Sequence, residues 1–301
     1  MKRALIVGII AALLVPSAGL SYVCTRVIDT MGEETGPSLS WFSRQVTFLV
    51  HVDGTEDIEG SDEFIDLEES FRVWQALHIG NTNCGLSGST DIEFLPLNAG
   101  DSLEGVMSTK TRVGFDYLDQ DNNDNLMIFH DQSWPHAGQS SLIIALTTTT
   151  YNPLTGEIFD ADIEFNTQNF PYSSASDSST ATDLMNTSVH EIGHLLGLGH
   201  TSRTEASMYP RAETGEIKKR DLDCDDAAGI LFKYPAGQSN GYCTPDESCG
   251  YCAPPGVLTK VPTVSVIGSS NGEGGCTAVS GSLTALLGLL AGLGFRRRRN
   301  G

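Results

Sequence analysis

One stretch of eleven residues, His190-Glu191-Ile192-Gly193-His194-Leu195-Leu196-Gly197-Leu198-Gly199-His200, restricts what this chain can become more than any other. Residues four apart share a helix face, so a helix through this stretch points His190 and His194 at one ion, with Glu191 beside them. Gly197 suits a helix end, where a positive φ costs a glycine little, and the turn it allows brings His200 back toward the pair. Three protein ligands leave one coordination place open for water, the arrangement of a catalytic rather than a structural zinc. Zinc lowers the pKa of its bound water to about 7 and polarises a carbonyl. Glu191 can take the water's proton and pass it to a leaving amine. Together these services point to metal-assisted hydrolysis of peptide bonds.

A bare His-Glu-x-x-His also arises on solvated helix faces, so the extension through Gly197 to His200 carries the specificity. A second element, Ser207-Met208-Tyr209-Pro210, offers a methionine in a tight turn as an apolar floor beneath the histidines. Together they resemble the metzincin pattern. The run from Val189 to Pro210 resembles the matrixin branch in particular, the matrix metalloproteinases and their bacterial relatives: Thr201 follows the third histidine, and Tyr209 directly follows the methionine. Pro210 stands where other branches carry a metal-binding tyrosine, so Tyr209 is not assigned to the metal. The resemblance implies that Tyr209 and Pro210 wall the pocket for the side chain just after the scissile bond. It extends over roughly residues 40–235, with Leu222, Asp225, Asp226, Gly229 and Ile230 matching the family's last helix. It also implies that one of the paired acids can bind a freed N-terminal ammonium. The family's Pro-Arg-Cys-Gly latch segment is absent from the sequence, and Cys24 can replace it only on general thiolate chemistry.

The fold expected is α+β: a twisted, five-stranded, mostly parallel sheet with one antiparallel edge strand, two long helices and a C-terminal helix after the methionine turn. Strands are read at Arg44–Val52, Asp91–Leu97, Asn125–His130, Ser141–Thr150 and Ile158–Asn166 from alternation and β-branched or aromatic content. Helices are read at Glu63–Leu77, with Trp74 in its buried face, and at Thr182–Leu196, with Asp183 in the first turn at the positive end of the dipole. Asp221 is expected to cap a final helix ending near Lys233. By the resemblance, Leu142–Thr148 is the edge strand, and it takes substrate as an added extended strand.

The 301 residues divide by composition. Residues 1–21 read as a secretory signal peptide, Met-Lys-Arg followed by an apolar run too short to span a bilayer. Residues 22–38 form a short N-terminal segment, 39–236 the catalytic domain, and 237–275 a Gly/Ser/Pro linker containing cysteines. Residues 276–301 form a tail in which Cys276, an apolar run from Thr277 to Phe295 and Arg296–Arg299 resemble the C-terminal sorting tag of myxobacterial surface proteins; the plain alternative is a tail anchor with its arginines cytoplasmic. A formal net charge of −20 argues against nucleic acid and anionic membrane surfaces as partners. Six of the seven cysteines, Cys24, Cys84, Cys224, Cys243, Cys249 and Cys252, allow up to three disulfides in an exported chain.

Two further clusters carry metal readings. Asp119, Asp121, Asn122, Asn123 and Asp124 form an oxygen-rich loop; the resemblance allows structural calcium there, with Asp160 and Asp162 contributing, while the plain alternative is a polar turn. His130, Asp131 and His136 lie where the family holds a structural zinc but lack one required histidine, and read as surface polar residues. The resulting expectation is a monomeric, exported zinc endopeptidase on the surface of a Gram-negative bacterium, acting on proteins or peptides. His190, His194 and His200 bind zinc, and Glu191 is the general base. The competing expectation is a non-catalytic adhesion or binding protein that keeps the same scaffold.

Overall fold

The computed structural model describes residues 22–29, 31–77, 84, 86, 88–96, 107–118, 123–136, 143–174 and 180–240, and the backbone of 265–268. The signal segment, most of the linker, the tail with Cys276, the cysteines at 243, 249 and 252, and Asp119, Asp121 and Asn122 lie outside the described residues. Among the described residues no helix is long and apolar enough to cross a membrane.

The chain opens with three short strands, β1 (Val23–Cys24), β2 (Arg26–Ile28) and β3 (Glu34–Ser38). The main sheet follows: β4 (Gln45–His51), β5 (Glu93–Pro96), β6 (Met107–Ser108), β7 (Leu126–Phe129), β8 (Ala145–Tyr151) and β9 (Ile158–Phe165). In space the order is β8-β9-β7-β4, with β5 and β6 sharing the far edge of β4. Every pair among these is parallel except β8 with β9, which are joined by a tight connection and run antiparallel. The expected mostly parallel sheet with one antiparallel strand is therefore present, but it holds more than the five strands expected, because the short β6 also pairs with β4. Its antiparallel member begins at Ala145 and continues to Tyr151.

The small two-stranded pairs complete the list: β10 (Tyr172–Ser173) with β11 (Thr182–Asp183), and β12 (Leu198–Gly199) with β1. Strand β13 (Ser265–Gly268) lies antiparallel on the outer side of β8, opposite Thr148–Tyr151. Among the described residues, β8 is thus paired on that side only along its second half. Within the N-terminal segment, β1 pairs with the strand leading into His200.

Helices α1 (Asp62–Gln75) and α2 (Leu184–Leu195) pack together under the sheet, and α3 (Cys224–Lys233) follows the methionine turn. The apolar period of α1 buries Phe64, Leu67, Phe71 and Trp74. Phe71 stacks on Phe48 of β4 with ring centroids 3.9 Å apart, which fixes the helix to the sheet centre. Trp74 is fully buried, and its indole N–H donates to the Val189 carbonyl at 2.9 Å, joining α1 to α2 just before the first histidine. Its expected role in core packing holds. Burying each such side chain stabilises the fold by about 1.5–3 kcal/mol.

Two helix starts differ from the sequence reading. Asp183 caps α2 from outside the first turn, accepting from the Asn186 N–H at 2.7 Å. Helix α3 is capped by Asp223, not Asp221, because Asp226 three residues on returns a carboxylate to the Asp223 N–H at 2.9 Å and closes a capping box. One disulfide is described, Cys84–Cys224, which ties the loop after α1 to the first residue of α3. Cys24 is buried in β1 and takes no part in it.

Candidate metal centre

Helix α2 carries His190 and His194 four residues apart on one face, both buried. The helix stops at Leu196, and Gly197 adopts φ +79°. A Cβ there would meet the Leu39 carbonyl oxygen at 2.4 Å, so both the backbone angle and the close approach require glycine. The chain then forms β12 against β1 and delivers His200. The three Nε2 atoms lie 3.2 Å from one another.

That spacing tests the fit to a cation. A tetrahedral zinc with nitrogens at 2.0–2.1 Å separates its ligand atoms by about 3.3 Å. The ring orientation agrees: the Nδ1–H of His190 donates to the Ser207 carbonyl at 2.5 Å and that of His194 to the Leu198 carbonyl at 2.8 Å. With the proton on Nδ1, each Nε2 lone pair faces the common point. Burial holds the pKa of both imidazoles well below the usual histidine range, which favours the neutral, ligating form. The three histidines form the only group of metal-binding side chains of this kind among the described residues.

Glu191 is completely buried beside them. Its Oε2 accepts from the Thr147 hydroxyl of β8 at 2.6 Å, while its Oε1 is buried with no hydrogen-bond partner among the described residues. Burial raises the pKa of this carboxyl to about 8. An acceptor oxygen left open beside converging imidazoles can take a proton from a water held there.

Met208 is 2 % exposed and lies under α2, where Gly193 leaves room for it: a Cβ on Gly193 would come within 2.1 Å of the Met208 sulfur. Asp226 of α3 fixes the methionine turn by accepting from the backbone N–H of Ser207 at 2.7 Å and of Met208 at 3.1 Å. Because the Ser207 carbonyl also accepts the hydrogen bond from His190 Nδ1–H, α3 reaches the first histidine through one turn. Tyr209 is half-buried, with the Lys218 ammonium 5.4 Å from its ring centroid.

Thr147, Gly193 and Asp226 were not identified from the sequence as parts of the centre. Gly193 sits inside the motif, but only the packing of Met208 shows what it is for. Asp226 carried a signal, as one of the paired acids of the last helix, that pointed to a different role.

The second cluster centres on a carboxylate. His130 Nε2 and His136 Nε2 each lie 2.8 Å from a different oxygen of buried Glu164, and Asp131 is turned away to the Thr55 hydroxyl and the Glu56 N–H. The two imidazoles hold the Glu164 carboxyl below its usual range despite burial, which acts in the opposite direction. In the acidic region, Asp160 and Asp162 lie on one face of β9, both almost fully buried, and Asp160 Oδ2 has no hydrogen-bond partner among the described residues. Burial raises both carboxyls; the charges of Asp162 and Asp124 push Asp160 up further, and that of Glu164 does so for Asp162, whose hydrogen bond with Asp160 acts the other way.

A family model described as Matrixin matches residues 40–234. Among curated proteins the chain is 49% identical over 69 residues to Metalloendoproteinase 2-MMP and 53% identical over 57 residues to Metalloendoproteinase 1-MMP, both of Arabidopsis thaliana. These alignments cover 23% and 19% of this chain and 18% and 15% of the relatives. Human Matrix metalloproteinase-25 is 30% identical over 119 residues, 39% of this chain and 20% of that protein. The chain thus spans about a fifth or less of the length of these relatives.

Proposed function

The chain belongs to the matrixin family, and on that premise we propose that it is a zinc-dependent endopeptidase that hydrolyses peptide bonds in proteins. The observation that carries this reading is three imidazole nitrogens 3.2 Å apart beside a buried carboxylate oxygen that nothing else engages. His190, His194 and His200 hold the zinc, which supplies Lewis acidity and a bound water of pKa about 7. Glu191 takes the water's proton on Oε1 and returns it to the leaving amine. Thr147 keeps Oε2 occupied, so that Oε1 is the oxygen facing the reaction. Met208 supports the imidazoles from below. The open first half of β8 receives an extended peptide through main-chain pairing.

Glu191→Gln in the full chain tests this assignment. Bound zinc should stay near one per chain while cleavage of a denatured protein falls about 10²- to 10⁴-fold. Undiminished cleavage removes Glu191 from the mechanism, and zinc binding without cleavage by the unaltered chain favours the adhesion-type reading.

We also propose a structural calcium at Asp124, Asp160 and Asp162. A divalent cation offsets the repulsion of the two buried β9 carboxylates and engages the unpartnered Asp160 oxygen. Titration calorimetry on the zinc-loaded chain should show calcium uptake that Asp160→Asn together with Asp162→Asn abolishes; equal uptake by both proteins rejects the site.

Export and attachment rest on sequence outside the described residues. The proposal is removal of residues 1–21, a catalytic domain over 39–236, a linker over 237–275, and surface retention through Cys276 and the apolar, arginine-ended tail of a Gram-negative cell. The working unit is a monomer.

A further inference from the structure

One side of β8 is filled by β9 from Ala145 to Tyr151; on the other side the chain supplies a strand of its own. Within a stretch otherwise rich in glycine, serine and proline, residues 263–267 read Thr-Val-Ser-Val-Ile, four of them β-branched, between Pro262 and the run Gly268-Ser269-Ser270-Asn271-Gly272. That composition favours an extended backbone bounded by turn residues, and Ser265–Gly268 forms β13. The pairing with β8 is antiparallel and continuous: Ser265 opposite Tyr151, Val266 opposite Thr150, Ile267 opposite Thr149 and Gly268 opposite Thr148.

This register has a place and a direction relative to the metal centre. Thr147, the next residue of β8, is where the strand meets that centre, its hydroxyl 2.6 Å from Glu191 Oε2 and 3.1 Å from the Glu191 carbonyl oxygen. Strand β13 therefore ends one residue step, about 3.4 Å, from the level of this contact. Being antiparallel to β8, it runs from Tyr151 toward Thr148, and so toward Thr147 and the histidines. A peptide added to the same edge with the same polarity places the residues before its scissile bond opposite Thr148–Tyr151, whose outward backbone groups β13 already engages.

We propose that the linker segment containing β13 is a displaceable ligand of the β8 edge, bound in cis over the half that takes the residues before the scissile bond. Long substrates then compete with the chain's own strand, and short ones do not. The inference rests on the peptidase reading for the role of β8 as the peptide-receiving edge. Tethering supplies the strength: residues 241–264 connect β13 to the domain, and a ligand tied in this way acts at about millimolar effective concentration. Its four residues give it too few ladder bonds to be permanent.

The test uses the full chain carrying Glu191→Gln and loaded with zinc, so that peptides bind without turnover. Its comparison protein adds Val266→Pro and Ile267→Pro, which remove two consecutive N–H donors and leave β13 no ladder to form. Amide hydrogen exchange read by mass spectrometry should be about tenfold faster over Thr148–Tyr151 in the proline variant, with α2 unchanged as the control for folding. A labelled peptide with six residues before its scissile position should bind the proline variant about tenfold tighter by fluorescence anisotropy, as for an edge otherwise open about a tenth of the time. A peptide with one residue there should show no such gain. Equal exchange in the two proteins overturns the pairing. No gain for the long peptide, or an equal gain for both peptides, overturns the competition. Cleavage by the chain with Glu191 intact is measured separately: its absence removes the peptidase reading and leaves the exchange result standing.

Discussion

Thr147 is the residue that no sequence pattern announces, and its reason is physical. It lies in a run of four threonines on β8, and what distinguishes it is a hydroxyl 2.6 Å from Glu191, 44 residues away. The three histidines were legible because the motif compresses them into one helix and one turn, where spacing alone sets the geometry. The partner of Glu191 is set by tertiary pairing of a strand against that helix, which spacing does not encode. Thr147→Val keeps the side-chain shape and removes the hydroxyl, so both carboxylate oxygens of Glu191 lose their fixed roles. We expect kcat to fall about tenfold with KM little changed and with zinc content intact, and Thr147→Ser to restore most of the rate; a change confined to KM would place Thr147 in substrate binding instead. The second cluster shows the opposite case. His130 and His136 carried no partner signal in the sequence, and Glu164, which lies 2.8 Å from both, was invisible until β9 placed it between them.

Among the elements, α3 shows how a helix boundary and a catalytic centre become one problem. Asp221 and Asp223 are equivalent by residue type, and only the reciprocal bond from Asp226 selects the latter as the cap. The same Asp226 side chain also takes the two N–H groups of the methionine turn. Burial outweighs those three donors and raises its pKa from 3.8 to about 6. A carboxyl raised in the folded state binds its proton more tightly there than when unfolded. Its contribution is fully present below the unfolded pKa near 4 and is lost as pH rises through about 6. Urea unfolding of the metal-free chain should therefore show about 2 to 3 kcal/mol less stability at pH 7 than at pH 4 from this group, a difference that Asp226→Asn should largely remove. An unchanged pH dependence in that variant assigns the effect to other carboxylates. The long periodic elements α1, α2, β4 and β9 were legible within two residues at each end, whereas β1, β2 and β3 are too short to show alternation: β1 takes shape only against the distant β12, and β2 and β3 pair with each other.

At the scale of the whole molecule, one covalent link spans 140 positions, from Cys84 after the sheet-side helix to Cys224 at the head of α3. Even cysteine number predicted cross-links but could not choose among pairings, since the choice depends on which loops the fold brings together. Closing a loop of that length removes about 5 kcal/mol of unfolded-chain entropy in the simplest estimate. Replacing both cysteines by serine should lower stability by about 3 to 5 kcal/mol, read as the urea midpoint with and without the change; a shift of less than about 1 kcal/mol would mean that the remaining contacts already fix α3. The link also joins chemistry to geography. It forms only where thiols are oxidised, and it anchors the helix that steadies the turn beneath His190. A copy held where thiols stay reduced lacks that clasp, so the turn beneath the three imidazoles is fully braced only after the two sulfurs have joined.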